Sequence, residues 1–340
     1  MSDKVRVALV GCGNIGSGGH APAYARVPGA ELVVACDLLP GRAEAVARAT
    51  GAEPCGSFQE VVARDDVDAV DLCVPTDRHA PLAVEALQAG KHVLCEKPIA
   101  RTLEEADAMI AAAREAGRVL MVGHVRRFDH RYVAVKGALR AGDVGRPIYI
   151  RRAERQWLPV PADVWYWRPE AGGGVIVDIG VHIADMFRWL LEDEPVSVYA
   201  VGRQVRQAAR EANSFDHALM TFRFAGGAIA VAEASWAYQP SFGRGLYAAL
   251  DIVGTAGTLH DSDQQANPML VYDATQGPQL PHYFRFMSTT EHAFQAEIAH
   301  FVACVRGEHP PAISPHDARR ALEMALAAQR SAETGSVVPL

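Results

Sequence analysis

No stretch of about 18 consecutive apolar residues occurs in the chain, so nothing in it reads as a membrane-spanning helix. Asp3, Lys4 and Arg6 stand where a secretory signal would need its apolar run, which leads to the expectation of a cytoplasmic protein with no membrane partner. Cysteine is sparse: Cys12, Cys36, Cys55, Cys73, Cys95 and Cys304 include no C-x-x-C pair, and no histidine stands at zinc-finger spacing from them. That pattern argues against a zinc module and a disulfide framework, and leaves reduced, buried thiols with no metal site expected. No block of lysine and arginine interrupts a chain with 33 basic and 40 acidic residues and a net charge of -7, so a nucleic-acid partner is not expected. Internal repeats and low-complexity linkers are missing too, which points to closely packed domains rather than a flexible array.

What is present is an ordinary globular balance over 340 residues, 49% hydrophobic and 21% charged, enough for two cores. Up to about residue 123, short β-branched runs alternate with helical stretches. Strands are expected over Val5–Val10, Glu31–Cys36, Ala69–Cys73, His92–Cys95 and Val119–Val122. Between them, Gly41–Ala49, His79–Ala89 and Leu103–Ala116 have helical spacing, and Gly90 and Gly117 sit just past two of the ends as C-cap glycines. This βα rhythm is that of a doubly wound parallel sheet. From about Tyr149 strands follow one another: Tyr149–Gln156, Val196–Val205, Ser214–Phe224, Ala228–Trp236 and Ala248–Val253, with Gly226-Gly227 as a hairpin turn. Helices over Glu291–Arg306 and Pro315–Ala332 close the chain. The fold expected is therefore α/β: a doubly wound domain over residues 1–123, then an α+β domain over 124–340 with a large, mostly antiparallel open sheet.

Gly11-Cys12-Gly13-Asn14-Ile15-Gly16 follows the first strand and runs into a helical stretch, the context that the pattern G-x-G-x-x-G needs. Glycines let such a turn tighten and let backbone approach a pyrophosphate, whose charge then meets the free N–H groups of a helix start. Asp37 ends the second strand, 21 positions beyond Gly16, where a carboxylate can accept bonds from the adenosine ribose hydroxyls. These features point to a Rossmann-type dinucleotide site. A protein-kinase glycine loop has the same spelling, but its V-A-I-K, H-R-D and D-F-G companions are missing. Asp37 would repel a 2′-phosphate and Leu38 rather than arginine follows it, which favours NAD over NADP, although Arg42 could soften that preference.

Two further stretches could carry chemistry. Glu96-Lys97-Pro98 stands at the C-terminal end of an expected parallel strand, the edge where open α/β sheets place ligands. A lysine there can stabilise a developing alkoxide, or can simply be a surface lysine. Downstream of Gly172-Gly173-Gly174, Asp178 and His182 are four apart and would share a face of one helix, with glycines that let backbone approach a ligand. The pair suits a general acid/base and its orienting carboxylate, although read alone it suits better a helix-start acid and a core histidine. Trp157, Trp165, Tyr166 and Trp167 offer either a stacking platform for a sugar ring or ordinary packing. His20 and His124 read as structural.

Together, the glycine turn, Glu96-Lys97-Pro98, the segment Gly123-His124-Val125-Arg126-Arg127-Phe128 and the element Asp178-x-x-x-His182 resemble the Gfo/Idh/MocA oxidoreductases, the group of glucose–fructose oxidoreductase and the inositol dehydrogenases. The resemblance covers nearly the whole chain. It implies a catalytic trio of Lys97, Asp178 and His182, with His182 as general acid/base, Glu96 and Lys97 near the nicotinamide, a cis Lys97-Pro98 peptide, and a cofactor groove lined from Thr76 to His79. It also implies substrate contacts from Lys97, Arg126, Glu154, Gln156, Asp178 and His182, to which Trp157 and Trp165 are added as the aromatics best placed to stack on a sugar ring. Where inositol dehydrogenases tend to carry His and Asn on that strand, this chain has Glu154 and Gln156, which counts against inositol itself. The function implied is NAD-dependent hydride transfer at a carbinol carbon of a sugar or polyol, in a homodimer or homotetramer built through the C-terminal sheet. Two alternatives remain at this point: a reductase of a ketosugar, enone or imine, and a non-catalytic NAD-binding regulator, which would have no need of an intact trio.

Overall fold

A computed structural model describes residues 4–157, 164–239, 246–262, 269–273 and 290–340. In chain order the first elements are β1 (Val5–Val10), α1 (Ala21–Tyr24), β2 (Ala30–Cys36), α2 (Pro40–Thr50), β3 (Glu53–Cys55), α3 (Phe58–Val62), β4 (Ala69–Leu72), α4 (His79–Gln88), β5 (His92–Glu96), α5 (Leu103–Ala116) and β6 (Leu120–Gly123). There follow α6 (His130–Ala141), β7 (Pro147–Gln156), α7 (Val175–Asp178), α8 (Gly180–Leu191), β8 (Pro195–Arg203), α9 (Gln207–Glu211), β9 (His217–Phe224) and β10 (Ile229–Ser235). The last are β11 (Leu246–Gly254), β12 (Gly257–Ser262), β13 (Met269–Asp273), α10 (Thr290–Val305), α11 (Pro315–Thr334) and β14 (Val338–Pro339).

The chain divides into two compact units, Met1–His130 with Ser288–Arg319, and Arg131–Met287 with Arg320–Leu340. The sequence reading cuts the chain once, after residue 123; contacts group α10 with the N-terminal unit. The reason lies in its apolar face: Ala293, Phe294, Ile298, Phe301 and Val302 pack into one core with Val7, Leu9, Tyr24 and Leu94.

In the first unit six strands lie in the order β3-β2-β1-β4-β5-β6, and every pair is parallel. A parallel sheet covered on both faces needs unbroken apolar strands. Val7, Leu9, Val70, Leu72, Val93 and Leu94 supply them and are fully buried. The long α5 shows why the helical stretches end where they do. Thr102 caps it by accepting the Glu105 N–H at 3.2 Å, acidic Glu104 and Glu105 fill its first turn, and Gly117 closes it at φ +62°. The sequence reading misses β3, whose three residues include Pro54, and places no helix at α3, α6 or α9. Proline suits the outermost strand it occupies, where its missing N–H leaves no ladder bond unmade.

The second unit holds a mixed sheet in the order β13-β12-β11-β7-β10-β9-β8-β14, antiparallel except between β7 and β10. Gly226-Gly227 does form the β9–β10 hairpin, with Gly227 at φ +91°. Strand β9 shows the alternation expected of a sheet covered on one face: Ala218, Met220, Phe222 and Phe224 are buried, and Leu219, Thr221 and Arg223 point outward. The inward face joins Val175, Ile176, Val181 and Phe187 of the α7–α8 segment in one core. Trp167 and Trp236 meet edge to face in it, ring centres 5.4 Å apart.

Trp167 is fully buried whereas Trp157 is 37% exposed. Trp167→Ala is therefore expected to cost about 3–5 kcal/mol of unfolding free energy, the range for removing a buried aromatic. Trp157→Ala should cost under about 1 kcal/mol. Urea denaturation followed by circular dichroism reads both, and equal losses would contradict this account of the core.

Candidate active site

At the end of β1, Gly11 adopts φ +95°, and a Cβ there would stand 2.4 Å from the Cys73 carbonyl oxygen. A Cβ at Gly16 would stand 2.0 Å from the Gly11 oxygen. These two glycines are thus demanded by the turn itself. Gly13 differs: a Cβ there meets nothing within 4 Å, so it leaves an open notch in front of the turn. Asn14 and Ile15 follow on the solvent side, and the chain winds through a wide π turn, Gly16–His20, into α1. A glycine turn that runs straight into helical winding is the setting in which free backbone N–H groups can meet a pyrophosphate.

Asp37 braces the same turn. Its Oδ2 accepts the Cys12 N–H and its Oδ1 the Leu39 N–H, both at 2.8 Å, and each oxygen keeps a lone pair for a ribose hydroxyl. Ile15, Leu38 and Leu39 beside it are exposed, Leu38 by 86%, a degree of apolar exposure that suits a surface a ligand covers. Thr76 Oγ1 is buried without a hydrogen-bond partner among the described residues. The notch, the braced carboxylate and this orphaned hydroxyl fit a dinucleotide.

The parallel register brings the remaining first-unit residues to that edge. Val10 pairs with Cys36 and Leu72, Leu72 with Cys95, and Glu96 with Gly123, so Gly11, Asp37, Lys97 and His124 all leave the C-terminal ends of strands. Lys97 is half-buried, its N–H donates to Glu96 Oε2 at 3.0 Å, and the Lys97-Pro98 peptide is cis. His79, which the resemblance implies on the cofactor groove, is buried at the start of α4. Its buried ring sets Nδ1 2.7 Å from the Pro98 carbonyl and Nε2 2.9 Å from the Val74 carbonyl, tying the two loops together. Arg126 lies half-buried on the short helical turn Val125–Phe128.

In the second unit, Asp178 and His182 are 6% and 8% exposed. They do not share one helix: Asp178 ends α7, Ile179 intervenes, and His182 lies in the first turn of α8. The Ile179 carbonyl bridges the junction by accepting the His182 N–H at 3.1 Å, so the turn continues. The glycines upstream serve the chain's own packing. A Cβ at Gly173 would lie 2.4 Å from the Tyr166 oxygen and 2.6 Å from the Trp165 oxygen, and the Gly174 N–H donates to Tyr166 at 2.8 Å. Trp165 stacks on Tyr166 with ring centres 4.1 Å apart, while Trp157 pairs with Ala237 and Gln156 is half-buried at the end of β7.

Glu154 is buried, and its Oε1 accepts from Arg152 Nη2 at 2.8 Å and Nε at 3.2 Å; the Arg152 guanidinium lies 4.7 Å over the Tyr132 ring. Sequence reasoning missed Arg152 in this group because an alternating strand gives no sign of an ion pair on its inward face. Asp185, one turn beyond His182 on α8, is 1% exposed.

Residues 5–124 match the oxidoreductase family with the NAD-binding Rossmann fold, and residues 132–260 match the GFO/IDH/MocA C-terminal domain. The chain is 32% identical over 342 residues to a scyllo-inositol 2-dehydrogenase (NAD(+)) of Bacillus subtilis, covering 100% of this chain and 97% of the relative. It is 32% identical over 321 residues to a 1,5-anhydro-D-fructose reductase of Ensifer adhaerens, covering 93% and 92%. The structure of a levoglucosan dehydrogenase in complex with NADH and levoglucosan is similar throughout, with a TM-score of 0.89, 25% identity and 99% of each chain covered. With a glycine turn and ribose acid that fit the dinucleotide, and family matches on both halves of the chain, the protein belongs to the GFO/IDH/MocA family as an NAD-dependent oxidoreductase.

Proposed function

We propose that the protein oxidises a ring CH–OH of a sugar or inositol-like polyol, or reduces the corresponding ketone, with Lys97, Asp178 and His182 as the groups that handle the hydroxyl. The observation that carries this reading is the placement of Lys97 on the same sheet edge as the Gly11–Gly16 turn and Asp37. Bound NAD supplies the hydride acceptor. Gly13, Asn14 and Ile15 face its pyrophosphate, Asp37 takes the ribose hydroxyls, and Thr76 and Glu96 line its path.

The ammonium of Lys97 holds the reacting oxygen and favours its negative form as the proton leaves. His182 takes that proton in the oxidative direction and returns it in the reductive one. Asp178, a carboxylate beside the imidazole in sequence and helical turn, positions the ring or a neighbouring hydroxyl. Scyllo-inositol, 1,5-anhydrofructose and levoglucosan, the compounds in the relatives' names, are all polyhydroxylated six-membered rings, which supports a substrate of that class. Arg126, Gln156, Trp157 and Trp165 are the substrate contacts in this reading. Glu154, its carboxylate engaged by Arg152, shapes their surroundings.

The exposed face of the second-unit sheet takes a second copy of the chain. Tyr199, Val201, Leu219 and Ile229 are 44–49% exposed there, and Val201 stands directly opposite Leu219 on the neighbouring strand. No helix among the described residues is long and apolar enough to cross a membrane, and the proposed location is the cytoplasm.

His182→Ala is expected to lower kcat by about a hundredfold or more, within the usual worth of general acid–base assistance. NADH affinity, read by fluorescence titration, should stay within about twofold of wild type. Near-wild-type kcat on a substrate with rate-limiting chemistry would sink the assignment. Leu219→Glu should shift the protein in size-exclusion chromatography with light scattering from an oligomer to a smaller species; an unchanged mass would remove this face from the interface.

A further inference from the structure

The first unit carries a second set of ionisable groups that the proposed chemistry does not use. His20, on the turn that opens α1, is fully buried, with Nδ1 2.7 Å from Asp71 Oδ2 and Nε2 3.1 Å from Glu96 Oε1. Tyr24 Oη donates to the same Asp71 oxygen at 2.9 Å, and the Cys73 thiol lies 3.6 Å from the other. From α10, Phe294 packs its ring 5.0 Å from the imidazole. One turn along, Glu297 is fully buried, and neither of its carboxylate oxygens has a hydrogen-bond partner among the described residues. One of those oxygens lies within 4.8 Å of a His20 nitrogen and of a Glu96 oxygen.

Donor counting sets the protonation of this cluster. An ionised carboxylate only accepts, so an imidazole with a carboxylate oxygen at each nitrogen is satisfied at both ends only as the doubly protonated cation. Burial alone would lower the His20 pKa, but the Asp71 charge and hydrogen bond outweigh it and hold the ring well above its usual range. Burial would raise Glu96, and the His20 bond and charge reverse this and hold it low. Glu297 has no donor among the described residues; burial first, then the Glu96 charge, keep its carboxyl well above the usual range and hence neutral.

The consequence falls on Lys97. Glu96 spends Oε1 on His20 and Oε2 on the Lys97 amide, so both ends of the carboxylate are fixed. Gly123, its register partner on β6, makes the room: a Cβ there would come 2.9 Å from Oε1. We propose that His20, clamped between Asp71 and Glu96 with Glu297 closing the far side, is a positioning residue that holds the Glu96 carboxylate against the Lys97 amide and so fixes the turn that carries the Lys97 side chain. The value of that turn to turnover rests on the role proposed above for Lys97; the clamp itself does not. His20, Glu96 and Glu297 also stand close enough to ligate a cation, which would require a bare His20 Nε2, whereas that nitrogen stands at hydrogen-bond distance from Glu96.

The test is nuclear magnetic resonance of the full-length protein labelled with 15N in its histidine rings, from neutral pH to about pH 9, well above the usual imidazole range. The His20 ring should keep both nitrogens protonated throughout, its signals being identified by their absence from His20→Gln and retained in Glu297→Gln. Hydrogen exchange at the Lys97 amide should quicken at least about tenfold in His20→Gln, the loss of a charge-assisted hydrogen bond. In the same variant kcat should fall about tenfold or more, with KM for NAD within about twofold. A His20 with one bare nitrogen at neutral pH overturns the proposal, whether the ring is simply neutral or holds a cation that a chelator removes. So does unchanged exchange at Lys97. Should His20→Gln not fold, the wild-type and Glu297→Gln ring signals still decide the charge of the clamp. Failure of the wild-type protein to turn over any polyol would count against the proposed function and leave the ring and amide readouts standing.

Discussion

Strand β1 runs between β2 and β4, all in one direction, so the ends of the first-unit strands arrive together at one edge of the sheet. Everything chemical in that unit depends on this register. It stands the glycine turn beside Asp37, and it brings Lys97 to the edge where open α/β sheets place their ligands. In a parallel sheet buried on both faces charged residues gather toward the strand ends, and Asp71, opposite Leu9 and Leu94, is a charge set further in.

That gathering has a physical cost, which the structure meets by pairing. Asp71, His20 and Glu96 would each be expensive to bury alone, and together they share two protons between three groups, with Tyr24 as a further donor. The same economy appears in the second unit, where Arg152 lies buried between Glu154 and the Tyr132 ring. In both places a glycine or a ring supplies the space that a charged side chain needs, as Gly123 does for Glu96.

Local features of this arrangement were legible in the sequence. The apolar runs of β1, β2, β4 and β5, the end of α5 at Gly117, and the Gly11–Gly16 turn are each decided by neighbours within a few positions. What could not be read was decided by distant partners. His20 is 51 positions from Asp71 and 76 from Glu96, and no spacing rule joins them. Pro54 hides β3, because proline argues against a strand until the strand is known to lie at an edge. Asp178 and His182 were placed on one helix by their separation, but α7 ends at Asp178 and α8 begins at Gly180, with Ile179 as the junction. The space beside Gly173 is taken by the carbonyl oxygens of Trp165 and Tyr166.

The central claim is that Lys97 works on a polyol hydroxyl at a bound nicotinamide. The most direct measurement is the formation of NADH by the purified protein over a panel of inositols, aldoses, uronic acids and anhydrosugars, with the keto forms tried in reverse and Lys97→Ala run in parallel. The account predicts turnover of at least one polyhydroxylated ring by the wild type, and a fall of about a hundredfold or more in Lys97→Ala with NADH still bound, the scale of losing one preorganised oxyanion donor. Tight NADH binding with no turnover of any compound in either direction, or a Lys97→Ala variant as fast as the wild type, would contradict it.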